Sequence, residues 1–155
     1  MIEPAERAPH GAYAAIAGSF VAGLGLVAAL SRRSPPATAL ELVALSAATF
    51  KASRTLSREK VASFVRQPFV EGETALGEEE RPAGEGFQRA LGELVLCTRC
   101  IGTWSAAALA SSQMLTPRFG RALTWTLAAG AANDFLQAGF TALCAKANAL
   151  DERVD

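Results

Sequence analysis

GAYAAIAGSFVAGLGLVAALS, residues 11–31, contains no charged side chain and is apolar or small throughout. At about 1.5 Å per residue, roughly 20 helical residues cross the ~30 Å hydrocarbon core of a bilayer. A soluble helix presents a polar face opposite its apolar one, and this stretch has none. Its reading as a membrane span therefore sets the class of fold. A cleaved signal peptide fits less well. Glu3 and Glu6 stand against Arg7 where a leader needs positive charge, and the apolar run exceeds the usual leader core.

Pro35 and Pro36 keep the following loop out of a helix. A second span is expected over 37–56. Only Leu42 to Phe50 is uncharged there, with Glu41 at one end and Lys51 and Arg54 toward the other, where long side chains snorkel to headgroups. From Ser57 to Val70, Arg58, Lys60 and Arg66 are interleaved with Val61, Phe64, Val65 and Phe69, the pattern of an amphipathic segment lying on the membrane. Glu71 to Gly86, with Glu78-Glu79-Glu80, reads as a solvated loop. Two further apolar segments, 97–117 and 121–145, are joined by a tight turn at Phe119-Gly120 into an antiparallel hairpin. The expected fold is all-α, one integral membrane domain over 1–155. It is a four-helix transmembrane bundle with spans 11–31, 37–56, 97–117 and 121–145, a cytoplasmic loop over 57–92, and a short interfacial amphipathic helix after the second span.

The chain has 155 residues and a formal net charge of zero, so no global basic field draws it to nucleic acid. Its expected partner is the lipid bilayer. Arg32, Arg33, Arg118 and Arg121 fall on one side of the predicted topology and the other eleven basic residues on the opposite side. Basic residues concentrate on the cytoplasmic face, so both termini are expected in the cytoplasm. Ala14, Gly18, Ala22, Gly25 and Ala29 form a stripe on the first segment, and Ala106, Ala110, Gly130 and Ala138 occur on the later two. Small residues let helices approach closely in lipid, which points to a tight bundle, a homo-oligomer, or a subunit of a larger membrane complex.

Chemistry has few candidate residues. Cys97, Cys100 and Cys144 cannot all pair within one chain. Cys97-Thr98-Arg99-Cys100 opens the third segment, and thiols at this spacing can close a disulfide or share a metal. A helix N-terminus stabilises thiolate. Cys100 lies 20 residues before Gly120 and Cys144 lies 24 after it, so their depths differ by only ~6 Å along a hairpin. With His10 on the same side, a Cys3His set would satisfy zinc, or iron as the other candidate. The predicted topology sets the pair in the reducing cytosol, where lasting disulfides are rare. On the fourth segment Asn133, Asp134, Gln137, Thr141 and Cys144 share one face. A carboxylate within a span costs roughly 2.5–3.5 kcal/mol on insertion scales, so Asp134 should face inward, with Ser46, Thr49 or Ser111 as partners, or else handle protons or ions. No phosphate-binding glycine loop, two-histidine metalloprotease helix or nucleophile elbow occurs.

Gly92-Glu93-Leu94 followed by Cys97-x-x-Cys100-x-Gly102-x-Trp104 resembles the signature of a bacterial membrane-protein family catalogued as domain of unknown function 1360. Arg54-Thr55-Leu56 leading to Pro68-Phe69, and Asp134-Phe135-Leu136-Gln137, fall where that family has similar elements. The resemblance covers roughly Ala37 to Leu143 and leaves most of the first span outside. It implies a bacterial inner-membrane protein without established activity and supplies no catalytic residues. Where the family pattern has proline and a bulky apolar residue between the cysteines, Thr98 and Arg99 stand here. The expected role is structural or accessory. The alternatives are a thiol-redox or metal-binding protein using the CxxC pair, and a small transporter using Asp134.

Overall fold

The computed structural model describes residues 9–31, 38–72 and 78–151. Glu3, Glu6, Arg7, Arg32, Arg33 and Arg153, which enter the leader and topology arguments, lie outside them. The fold is all-α, with helices α1 (His10–Leu30), α2 (Ala39–Arg58), α3 (Ser63–Arg66), α4 (Gly86–Leu96), α5 (Thr98–Leu115) and α6 (Pro117–Asp151). A two-residue antiparallel ladder between β1 (Val70–Glu71) and β2 (Arg81–Pro82) closes the central connection.

Helix α2 starts where its sequence provides a capping box. Thr38 Oγ1 accepts from the Glu41 N–H at 3.2 Å, while the Glu41 carboxylate accepts from the Thr38 N–H at 2.9 Å. The box leaves neither end donor unpaired. Glu41 is thereby an end-cap, which explains a carboxylate at the start of an apolar run.

Helices α2, α5 and α6 pack on one another, and α1 leans on α5 and α4. The interior they enclose is small and polar: Ala44, Ala48, Ser53 and Ser57 of α2, Ser105 and Leu109 of α5, Thr124 and Ala131 of α6. Hydroxyls and an amide tie the helices together. Ser57 Oγ and Thr98 Oγ1 are 2.8 Å apart, and Gln113 Nε2 donates to Thr124 Oγ1 at 2.7 Å. Apart from Leu109, most large apolar side chains of the bundle point the other way. Val43 (65% exposed), Phe64 (72%), Leu136 (73%) and Phe140 (70%) are all on the outside.

The structure corrects several expectations. The turn of the α5–α6 hairpin is at Thr116, with Pro117 opening α6, and not at Phe119-Gly120. Proline is suited to the first helical position because its missing N–H has no intrahelical partner there. Gly120 has a different role: a Cβ on it would fall onto the backbone of Ser112 and Gln113. It permits close helix crossing.

The segment expected as one amphipathic helix over 57–70 is broken into 3-10 turns at Lys60–Ala62 and Gln67–Phe69 around the single turn of α3. The stretch 86–96, assigned mostly to the loop, forms α4. The pair α4–α5 bends by 85° at Cys97. Among the described residues, α1 alone is long and apolar enough to cross a membrane; α4 and α5 pass that test only as a bent pair.

Candidate functional site

The bend places the CxxC pair at an elbow. Cys97 ends α4, its N–H donating to Glu93 O at 3.1 Å, and it also caps α5, its Sγ accepting from the Cys100 N–H at 3.3 Å. One residue thus terminates one helix and starts the next. Cys97 and Cys100 are joined as a disulfide pair with Cα atoms 5.2 Å apart, within the usual span for such a bridge.

The other members of the predicted thiol set are elsewhere. Cys144 is an exposed, unpaired thiol on α6, and His10 packs edge-on against Tyr13 with ring centroids 6.4 Å apart. Among the described residues, no three His, Cys, Asp or Glu side chains could hold a metal ion together. Matching depth along a hairpin is not enough, because the second half of α6 runs exposed past the bundle and the two elbow sulfurs satisfy each other.

The polar face of α6 is also divided. Asn133 and Gln137 are exposed, Thr141 Oγ1 donates to Gln137 O within the helix at 2.9 Å, and Asp134 is directed at a partner on another helix. That partner is Lys51, whose Nζ donates to Asp134 Oδ2 at 3.0 Å and to Glu59 Oε1 at 2.8 Å. The expected hydroxyl partners of Asp134 are replaced by a lysine 83 positions away. Lys51 itself faces α6 instead of snorkelling outward. Stacked Phe50 and Phe135, 5.3 Å apart, flank this cluster.

A second ion pair, this one buried, closes the central connection. Arg66, 1% exposed, meets Glu80, 7% exposed, through two bonds of 2.7 and 2.9 Å. Its remaining nitrogen donates to Leu56 O at 2.9 Å and Glu59 O at 3.1 Å. Leu56 O lies in the last turn of α2, where carbonyls lack intrahelical donors, and Glu59 O also accepts from the Ala62 N–H at 3.2 Å. Arg66 therefore caps α2, and Glu80 belongs to the packed structure although its neighbours Glu78 and Glu79 are exposed.

The family catalogued as Protein of unknown function (DUF1360) matches residues 44–140. The chain belongs to this family. No curated protein and no solved structure matches it. The matched region begins inside α2 and ends inside α6, so the residues of the elbow, both ion clusters and the bundle interior of this DUF1360 protein fall within it, whereas α1 lies outside.

Beside the elbow of the DUF1360 protein is an open groove of about 550 Å³ between α1, α4 and α5, with Ala17 and Val21 among its lining residues. Sequence reasoning missed it, since its walls come from three separate segments. Its lining includes Phe20, Trp104, Cys100 and Thr103, with Tyr13 and Glu93 as polar members. The Phe20 and Trp104 rings meet edge-to-face at 5.0 Å. The Tyr13 hydroxyl donates to Glu93 Oε2, whose other oxygen accepts from Arg89 Nε at 3.3 Å. A polar cluster thus adjoins an apolar groove with one residue of the elbow pair, Cys100, on its wall.

Proposed function

We propose that this DUF1360 protein is an integral protein of the bacterial inner membrane with a structural or accessory role, as an oligomer or as a subunit of a larger membrane assembly. The observation carrying this reading is the inverted packing: small and hydroxyl-bearing residues inside, large apolar ones outside. Water would drive the large side chains inward. Lipid removes that drive and favours close contact between small residues with hydrogen bonds across helices. Helices α1, α2, α5 and α6 are the four spans of this reading, both termini being cytoplasmic. Helix α4, nearly perpendicular to α5, takes the interfacial place that the sequence argument gave to 57–70.

Extraction tests the proposal. The chain should stay with membranes through alkaline carbonate and be released by detergent. Recovery as a monodisperse soluble species without detergent would overturn it. Reporter fusions at Thr116 and at the C-terminus should report opposite sides.

A second reading, thiol-redox work by Cys97 and Cys100, is favoured by their pairing across the elbow. Cytosolic disulfides in mesophiles are usually transient and catalytic. Thiol labelling before and after mild reduction should show the pair cycling, and a pair fixed in one state would oppose this reading.

A further inference from the structure

The cavity at the elbow and the cysteine pair share a wall, because Cys100 lines the chamber while its partner Cys97 caps the same helix. A dithiol serving only soluble partners would have no need of an apolar chamber. Its about 550 Å³ falls in the roughly 300–1,000 Å³ range of sites for small organic molecules. We propose that the cavity binds a lipid-soluble quinone, which takes two electrons from Cys97 and Cys100. This inference rests on the thiol-redox reading and names its acceptor.

The chamber suits that occupant chemically. The Phe20 and Trp104 side chains offer aromatic faces and edges to a planar ring. The Thr103 hydroxyl, on the lining, is a donor of the kind a quinone carbonyl accepts from. The chemistry balances. Forming one S–S bond releases two electrons and two protons from the thiols, and the quinone takes up both as its two carbonyls become hydroxyls. Cys97 Sγ, accepting an N–H bond at the N-terminus of α5, is the sulfur better held as thiolate.

The test uses the full chain in detergent, with Cys144→Ser introduced so that the exposed third thiol does not report. The reduced protein is mixed anaerobically with a tetrasubstituted benzoquinone bearing an alkyl tail, whose ring has no open carbon for thiol addition. Quinol is followed by absorbance and thiols by maleimide labelling. The expected result is one quinol per chain with loss of two thiols, abolished by Cys100→Ser. Ala17→Phe, which fills the chamber from α1, should slow the reaction at least tenfold. Phe20→Ala should raise the quinone concentration needed for half-maximal rate.

Diamide, a small soluble oxidant, separates the failures. If diamide closes the disulfide and the quinone does not, the quinone assignment is overturned and the thiol-redox reading stands. If neither oxidises the pair, both fall. If Ala17→Phe and Phe20→Ala react like the parent, the cavity is not the site.

Discussion

Helix α1 and the α2–α5–α6 bundle are both rich in small residues, yet they use them differently. In the bundle, Ala44, Ala48, Ser105 and Ala131 are buried where helices meet, and Gly120 permits backbone to approach backbone. In α1 no residue is buried, and a Cβ added at Gly18, Gly23 or Gly25 would meet nothing. The family match includes the bundle and leaves out α1. Small residues are thus a permit for close contact, not evidence that contact has been made within the same chain. Polar groups divide the same way, since Arg66, Glu80, Lys51 and Asp134 all belong to the region that packs.

If the bundle is the cooperative unit, its buried ion pair should be the most sensitive point. Glu80→Ala leaves the Arg66 guanidinium buried without its carboxylate, and breaking such a pair typically costs about 3–5 kcal/mol. Glu79→Ala, one position earlier and 91% exposed at its side chain, should change little. Thermal unfolding of the two variants in detergent checks this. Equal midpoints would mean that the central connection is not part of the folded unit.

Gly120→Ala should come next. The new methyl group would meet the backbone of Ser112 and Gln113, and overpacking at such contacts typically costs about 1–3 kcal/mol. A melting curve matching that of the parent would show that the α5–α6 crossing can open without cost. The helix-breaking position is Thr116 and not Gly120, so a turn-type explanation would not account for a large loss here.

Asp134→Asn should have a smaller effect. Lys51 keeps Glu59, and with Asp134 42% exposed at its side chain the lost pair is discounted to about 1 kcal/mol or less. The unfolding midpoint should shift slightly, with helicity by circular dichroism unchanged. A collapse of helicity would show that this bond fixes α6 against α2.

Legibility in the sequence followed the range of the interactions. The span 11–31 and the helix His10–Leu30 nearly coincide because an uninterrupted apolar run is a local property. The cysteine motif was visible for the same reason. Its apolar chamber was not, because Tyr13, Glu93 and Trp104 come together only through tertiary packing. Glu80 looked like part of a solvated acidic run, since nothing nearby marks it as the partner of Arg66 fourteen positions earlier. The sequence marks Asp134 as a polar residue needing a partner, but nothing local distinguishes Lys51, its partner 83 positions away, from a lysine that snorkels to the headgroups. The hairpin turn could have been placed better, as Pro117 is a recognised helix-opening residue and Gly120 need not be a turn.

The smallest expected effect is also the sharpest test of the comparison. Gly18→Ala adds a methyl group where the structure has open space, so within the chain the change should stay inside about ±0.5 kcal/mol, as surface substitutions do. Alanine is also the better helix former of the two, which sets the direction toward stabilisation. The measurement is the melting midpoint in detergent beside the oligomer size from light scattering. An unchanged or raised midpoint with unchanged size keeps α1 as the peripheral helix. A lowered midpoint, or loss of a larger species, would mean that a second copy or another subunit covers the Gly18 face. The contrast with the bundle would then be one between contacts made inside the chain and contacts made across an interface.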